Sequence, residues 1–127
     1  MVNEMKYFRL YADSDGVSHF SDEELDYTEI DYIPPAPPLN ISDAQAVENL
    51  ILMHAPAHWS EESRHPSPKK QWVFVLRGAV EYKASDGDSR TLKVGDILYT
   101  EDTFGDGHTA RIVGDEEVLL ALAQQGV

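Results

Sequence analysis

The sequence predicts an all-β domain, a sandwich or barrel of short strands, and three observations carry that expectation. Short runs rich in β-branched and aromatic residues recur from Val47 to Ala123. Glycines beside Asp, Arg or Ser punctuate them, at positions where a positive φ is tolerated. The two candidate helix starts, "SDEEL" at Ser21 and "SDAQAVENL" at Ser42, place a serine where it can cap a helical turn, but both are too short to change the class. A length of 127 residues favours one domain with one core.

Taken in order, "KYFRLYA" (Lys6 to Ala12) alternates as a strand does, and "DSDG" from Asp13 is a turn. "DSDG" also looks like the opening of a calcium loop with Glu24 at its twelfth position. The intermediate ligands and framing helices are missing, so the turn reading is taken. "IPPAPPLN" (Ile33 to Asn40) is neither helix nor central strand, because proline lacks the amide donor and fixes φ. Residues 1–40 are therefore expected to form an extended N-terminal arm laid over the domain or over a partner subunit, with 41–127 as the barrel domain. The predicted strands are Val47 to Ala55, Gln71 to Leu76, Ala79 to Ala84, Thr91 to Val94, Asp96 to Thr100, Ala110 to Val113 and Glu117 to Ala123. "KASDGDS" between the third and fourth of these reads as a β-hairpin.

The net charge of −13 repels phosphate backbones, so nucleic acid is not an expected partner. With no cysteine, disulfides, thiolate catalysis and Cys-ligated zinc are excluded. The opening "MVNEMKYFRLYADSDG" has neither a basic nor an apolar targeting region, and no stretch approaches the roughly 18 apolar residues of a membrane span. A cytoplasmic protein without membrane contact is expected. Unpaired strand edges and the proline-rich arm lead us to expect a homodimer.

The stretch "RHPSPKKQWVFVLRGAVEY" (Arg64 to Tyr82), followed by Gly95 and by "TEDTFGDGH" ending at His108, resembles the cupin superfamily of small double-stranded β-helix, or jelly-roll, barrels. In the family's first motif, G-x5-H-x-H-x(3,4)-E-x6-G, His65 stands at the first His, Gln71 at the Glu and Gly78 at the closing Gly. Gly95 opens the second motif and His108 supplies its histidine. The departures are Trp59 at the opening Gly, Ser67 at the second His, Glu101 at the Pro, Thr103 at the Gly and Ile112 at the last Asn. The resemblance implies a jelly-roll cupin barrel of the RmlC-like kind that binds a small molecule.

Alternation places Gln71, Val73 and Val75 on one face, which in such a barrel is the interior, and carries His65 and Ser67 with them if the extended register continues backward. The resemblance offers His65, Gln71 and His108 to a divalent transition metal, zinc, iron, nickel or copper, with a metal-free site as the alternative. Without metal, His65 and His108 form an acid and base pair. Gln71, Tyr99 and Glu101 are expected to bind substrate, and an acid of the Thr100 to His108 loop to orient His108. His54 and His58 are weaker candidates, while Lys69 and Lys70 can draw an anion to the mouth. The function implied is dioxygenase, isomerase or lyase chemistry on an oxygen-rich metabolite, the alternative being a non-catalytic ligand- or sugar-binding cupin.

Overall fold

The structure is a computed structural model that describes residues 5–126. The first four residues of the expected arm, and Val127, lie outside that range. Its elements are β1 (Lys6–Ala12), β2 (Ser18–Glu24), β3 (Tyr27–Ile30), β4 (Leu39–Ser42), β5 (Asn49–Ala55), β6 (Gln71–Arg77), β7 (Ala79–Ala84), β8 (Ser89–Lys93), β9 (Ile97–Thr100), β10 (His108–Val113) and β11 (Val118–Gln124). The predicted strands from Val47 onward correspond to β5 through β11, with no boundary moved by more than two residues.

Two sheets face each other. One has six strands in the order β2-β1-β9-β6-β11-β5, the other three in the order β10-β7-β8. β1 runs parallel to β9 while every other pair is antiparallel. Between the sheets Leu10, Val73, Leu92, Leu98 and Val118 are wholly buried, and Val75, Val80, Ile112 and Leu122 complete the core. The predicted face of β6 holds, since Val73 and Val75 point inward while Leu76 is exposed. Gly78, with φ near 75°, joins β6 to β7 where a Cβ would meet the Glu117 carbonyl oxygen at 2.6 Å, so only glycine fits the turn.

The expected arm over 1–40 is corrected by this topology. β1 and β2 are members of the six-stranded sheet because Leu10 and Phe20 are core residues, and what remains outside is the separate β3–β4 hairpin carrying the prolines. The two expected helical turns are corrected as well. Ser21 to Glu24 pair with β1 from Arg9 back to Lys6, so the ladder already satisfies that backbone, and Asp43 to Glu48 form no regular element. Among the described residues no helix is long and apolar enough to cross a membrane.

The "DSDG" turn closes as expected. Asp13 Oδ1 accepts the amides of Asp15 and Val17 at 2.9 and 3.0 Å. Its Oδ2 meets His19 Nε2 at 2.7 Å, and His19 Nδ1 reaches Asp86 at 2.8 Å, so one imidazole ties the β1–β2 turn to the β7–β8 turn. A ring with a carboxylate on each nitrogen needs both protons, and those bonds, Asp13 first and then Asp86, raise the His19 pKa above its ordinary value of 6.5. The sign follows. The tie contributes fully below pH 6.5 and is lost as pH rises through the raised folded value, while the lowered Asp13 pKa keeps its own contribution until strong acid. Urea titrations of wild type and His19→Gln are expected to differ at pH 5.5 and to converge by pH 9. A difference independent of pH would exclude the charged tie.

Candidate functional site

The six-stranded sheet, β7, β10 and the loop after β5 enclose an open cavity of about 420 Å³. Its wall is mainly apolar, formed by side chains such as Ile51, Met53, Val80, Ile112, Leu120 and Leu122, while Glu61, His65, Gln71, Tyr82, His108 and Gln124 supply polar atoms. Such a concave, apolar space with a few convergent polar groups is the form of a small-molecule site.

His108 begins β10 and is buried, as is Asp102 in the loop after β9. Its Nδ1–H donates to Asp102 Oδ2 at 2.6 Å, and the other carboxylate oxygen accepts the Ser67 hydroxyl at 2.8 Å. Ser67 also donates its backbone N–H to the Asp102 carbonyl at 2.9 Å. The carboxylate thus fixes the ring's orientation and tautomer and leaves Nε2 as the nitrogen for the cavity. Ser67, aimed at the carboxylate rather than at an imidazole, is not placed as a nucleophile.

His65 pairs backbone to backbone with His108, with both N–H···O distances at 3.0 Å. The two rings lie 5.0 Å apart between centroids, tilted by 54°. This approach requires Gly107, with φ near 73°, where a Cβ would stand 2.1 Å from the His65 carbonyl. His65 Nδ1 faces the Pro66 carbonyl at 3.0 Å, and Nε2 makes a very short contact with Glu61. Partial burial works against the imidazolium, but the Pro66 carbonyl, the charge and bond of Glu61 and the Asp102 charge outweigh it and raise the His65 pKa. Glu61 is itself anchored, since its Oε1 accepts the Ala110 amide at 2.7 Å.

Tyr82 of β7 is buried against the same wall, its ring 5.5 Å from that of His108. Burial, then the Glu61 and Asp102 charges, push its phenol far above the ordinary range, so it keeps its proton at neutral pH and can offer it to a ligand.

Residues 51–123 match the cupin domain family model. The chain belongs to the cupin family. Its all-β architecture is the family's jelly-roll barrel. Among solved structures the cupin is similar to protein NMB1881 from Neisseria meningitidis, at 15% identity and a TM-score of 0.44 over 64% of this chain and 81% of that one. It is also similar to a protein described as a candidate ethanolamine utilization protein Q from Salmonella typhimurium, at 14% identity and a TM-score of 0.40 over 99% of this chain and 100% of that one. No curated protein matches the sequence.

Within this cupin the structure brings His65, Gln71 and His108 to one cavity. A resident metal would need a free donor on each. Both His65 nitrogens face acceptors, Gln71 Oε1 accepts the Gln124 amide at 3.0 Å and keeps one lone pair, and His108 Nε2 is the one imidazole nitrogen of the set left uncommitted. Among the described residues no group of three or more His, Asp or Glu side chains could hold a metal ion. As arranged, the expected donor set does not fit one.

Tyr99 and Glu101 are not part of the cavity wall. Leu98 and Thr100 take the inward positions of β9, so alternation turns Tyr99 and Glu101 outward, where Tyr99 bonds Gln125 and packs on Trp72 while Glu101 pairs with Arg9. His54 lies at the cavity edge, 3.6 Å from Glu117, and the exposed His58 stands 3.6 Å from Asp115. Lys69 and Lys70 reach Glu48 and Glu101 at 3.7 and 3.9 Å.

The sequence pointed to an acid of the Thr100 to His108 loop as the group that orients His108, and the structure selects Asp102. Glu61 and Tyr82 were missed. Tyr82 had a signal, since alternation through "AVEYKA" sets it on one face with Val80 and Ala84. Glu61 had none, because it lies in an irregular loop.

Proposed function

We propose that this cupin binds a small organic acid or carbonyl compound and moves a proton on it, an isomerase or lyase reaction without a resident metal. The observation that supports it most is the pair of imidazoles 5.0 Å apart on one cavity wall with different partners. His108 offers an unprotonated Nε2 backed by the Asp102 carboxylate, the setting of a general base. His65 is held by acceptors that favour its doubly protonated form, the setting of a general acid. In the proposed step His108 Nε2 takes a proton from the carbon beside an α-hydroxy carbonyl as the C–H electrons form an enediol, and His65, its Nε2–H passing from Glu61 to the bound ligand, gives that proton to the carbonyl oxygen. Isomerisation then returns a proton from His108 to the neighbouring carbon, while His65 recovers its own from the hydroxyl that becomes the new carbonyl. Gln71 and Gln124 offer amides to a polar substituent, and the apolar wall takes the carbon skeleton.

The test is solvent deuterium incorporation. Protein is incubated in D2O with a panel of short keto acids, aldoses and ketoses, and the products are read by NMR. At least one compound should exchange a carbon-bound hydrogen with wild type and lose at least about a hundredfold in rate with His108→Ala, in the usual range for a general base. A compound that binds in the cavity and never exchanges would instead support the non-catalytic binding role. Metal analysis of tag-free protein completes the test, for stoichiometric metal lost in both His65→Ala and His108→Ala would replace the metal-free reading.

A further inference from the structure

The three-stranded sheet carries a second hollow on its outer face. The backbone pairing of His65 with His108 extends that sheet beyond β10, and its register sets Arg64 opposite Thr109, which in turn stands opposite Lys83 of β7. Successive side chains alternate, so this row lies on the reverse of the row formed by His65, His108 and Ala84. Arg64, Thr109 and Lys83 border an open hollow of about 380 Å³, closed at one end by Ser85 and Gly87 of the β7–β8 turn. Among the described residues no carboxylate lines it.

In a chain of 23 acidic and 10 basic residues, such a place needs a reason. Arg9, Lys69, Lys70, Arg77, Arg90 and Arg111 each lie within reach of a carboxylate. Among the described residues Arg64, Lys83 and Lys93 pair with none, and the first two face the same hollow. The acids of β7 and its turn are engaged elsewhere. Glu81 accepts from Arg111 Nε at 2.7 Å, Asp86 meets His19 at 2.8 Å and Asp88 accepts from Arg90 at 2.9 Å. Two cations are thus left roughly 10 Å apart at the backbone, two strand spacings, with a local positive potential that an anion between them would relieve.

We infer that this hollow binds a phosphate group, as the free ion or in a phosphomonoester, held by Arg64 and Lys83 from either side of Thr109. Arg64 is already drawn over the hollow, because its Nη1 donates to the Ser85 carbonyl at 3.4 Å, and the rest of its fork is left for phosphate oxygens. Lys83 adds a second charge on a flexible stem. The Thr109 hydroxyl has no partner among the described residues and can donate between them. Ser85 is fixed at the rim, since its Oγ accepts the Ser18 amide at 2.7 Å. A phosphate has oxygens enough for all three donors, whereas a carboxylate is used up by the Arg fork alone. The bound phosphate lies behind the wall that carries His65 and His108, so it is a second ligand and not a part of the molecule in the cavity.

The test is a titration of the 15N-labelled full chain with sodium phosphate and, separately, with glycerol phosphate, at constant ionic strength held with sodium chloride and read by amide NMR shifts. Saturable shifts are expected at Lys83, Ser85, Gly87 and Thr109, and each of Arg64→Gln and Lys83→Gln should weaken binding at least about tenfold. Both change exposed side chains outside the core. Lys93→Gln removes the third unpaired cation from the far end of β8, opposite Ala79, and should leave binding unchanged. Tighter saturation by glycerol phosphate assigns the ester as the ligand, and equal or weaker saturation assigns the free ion; either supports the site. Shifts that never saturate, that weaken as much in Lys93→Gln, that survive intact in Arg64→Gln, or that centre on cavity residues such as Val80 and Leu120 overturn it.

Discussion

Asp102→Ala is expected to destabilise the protein by about 3–5 kcal/mol, read as a lowered midpoint in urea unfolding with an unchanged slope. Asp102 is wholly buried, and its two oxygens accept from His108 Nδ1 and Ser67 Oγ, both in buried residues. Removing the carboxylate leaves two buried donors without acceptors, each worth about 1–3 kcal/mol. Asp102→Asn separates stability from tautomer. The amide keeps the volume and one acceptor oxygen, so the loss should be smaller than for alanine, but its NH2 cannot accept from Nδ1–H. The His108 proton is then expected to move to Nε2, visible in the ring 15N shifts, and any deuterium exchange catalysed by the wild type should fall with it. Unchanged ring shifts in Asp102→Asn would show that the carboxylate does not set the tautomer.

The second large effect is expected at Leu10→Ala, about 3–5 kcal/mol by the same measurement. Leu10 lies in β1, wholly buried and packed in the core with Phe20, Val73, Leu92 and Leu98. Truncation removes its burial and leaves a cavity between two sheets held by their ladders, with little room to collapse. The result tests the correction made to the N-terminal region. A loss under about 1 kcal/mol would mean that the first strands are an appendage, as composition alone suggested.

Much of the chain was legible because local rules agree there. The strands from Gln71 to Gln124 combine β-rich composition with glycine turns, and the barrel then follows from alternation on β6 and β7. At the two places where local signals misled, pairing overrode them. Ser21 to Glu24 carry a helix-start pattern but complete the antiparallel ladder with β1, and Lys6 to Ala12 sit upstream of a proline run that suggested an arm yet run parallel to β9, nearly ninety residues later. A contact so distant in sequence leaves no mark in a short window.

By itself, then, the sequence determined the class, the strands after Val47 and the turn residues, because period-two alternation and glycine geometry are local properties, while the cupin resemblance supplied His65, Gln71 and His108 as candidates for one site. Only the tertiary structure decided what those residues do. It set Asp102 and Ser67 behind His108, bound both His65 nitrogens, paired Gln71 with Gln124, brought Glu61 and Tyr82 to the wall, and turned Tyr99 and Glu101 away. The physical reason is that a side chain's protonation and free donor atoms depend on what other strands and loops bring within about 3 Å of it, and no spacing along the chain records that.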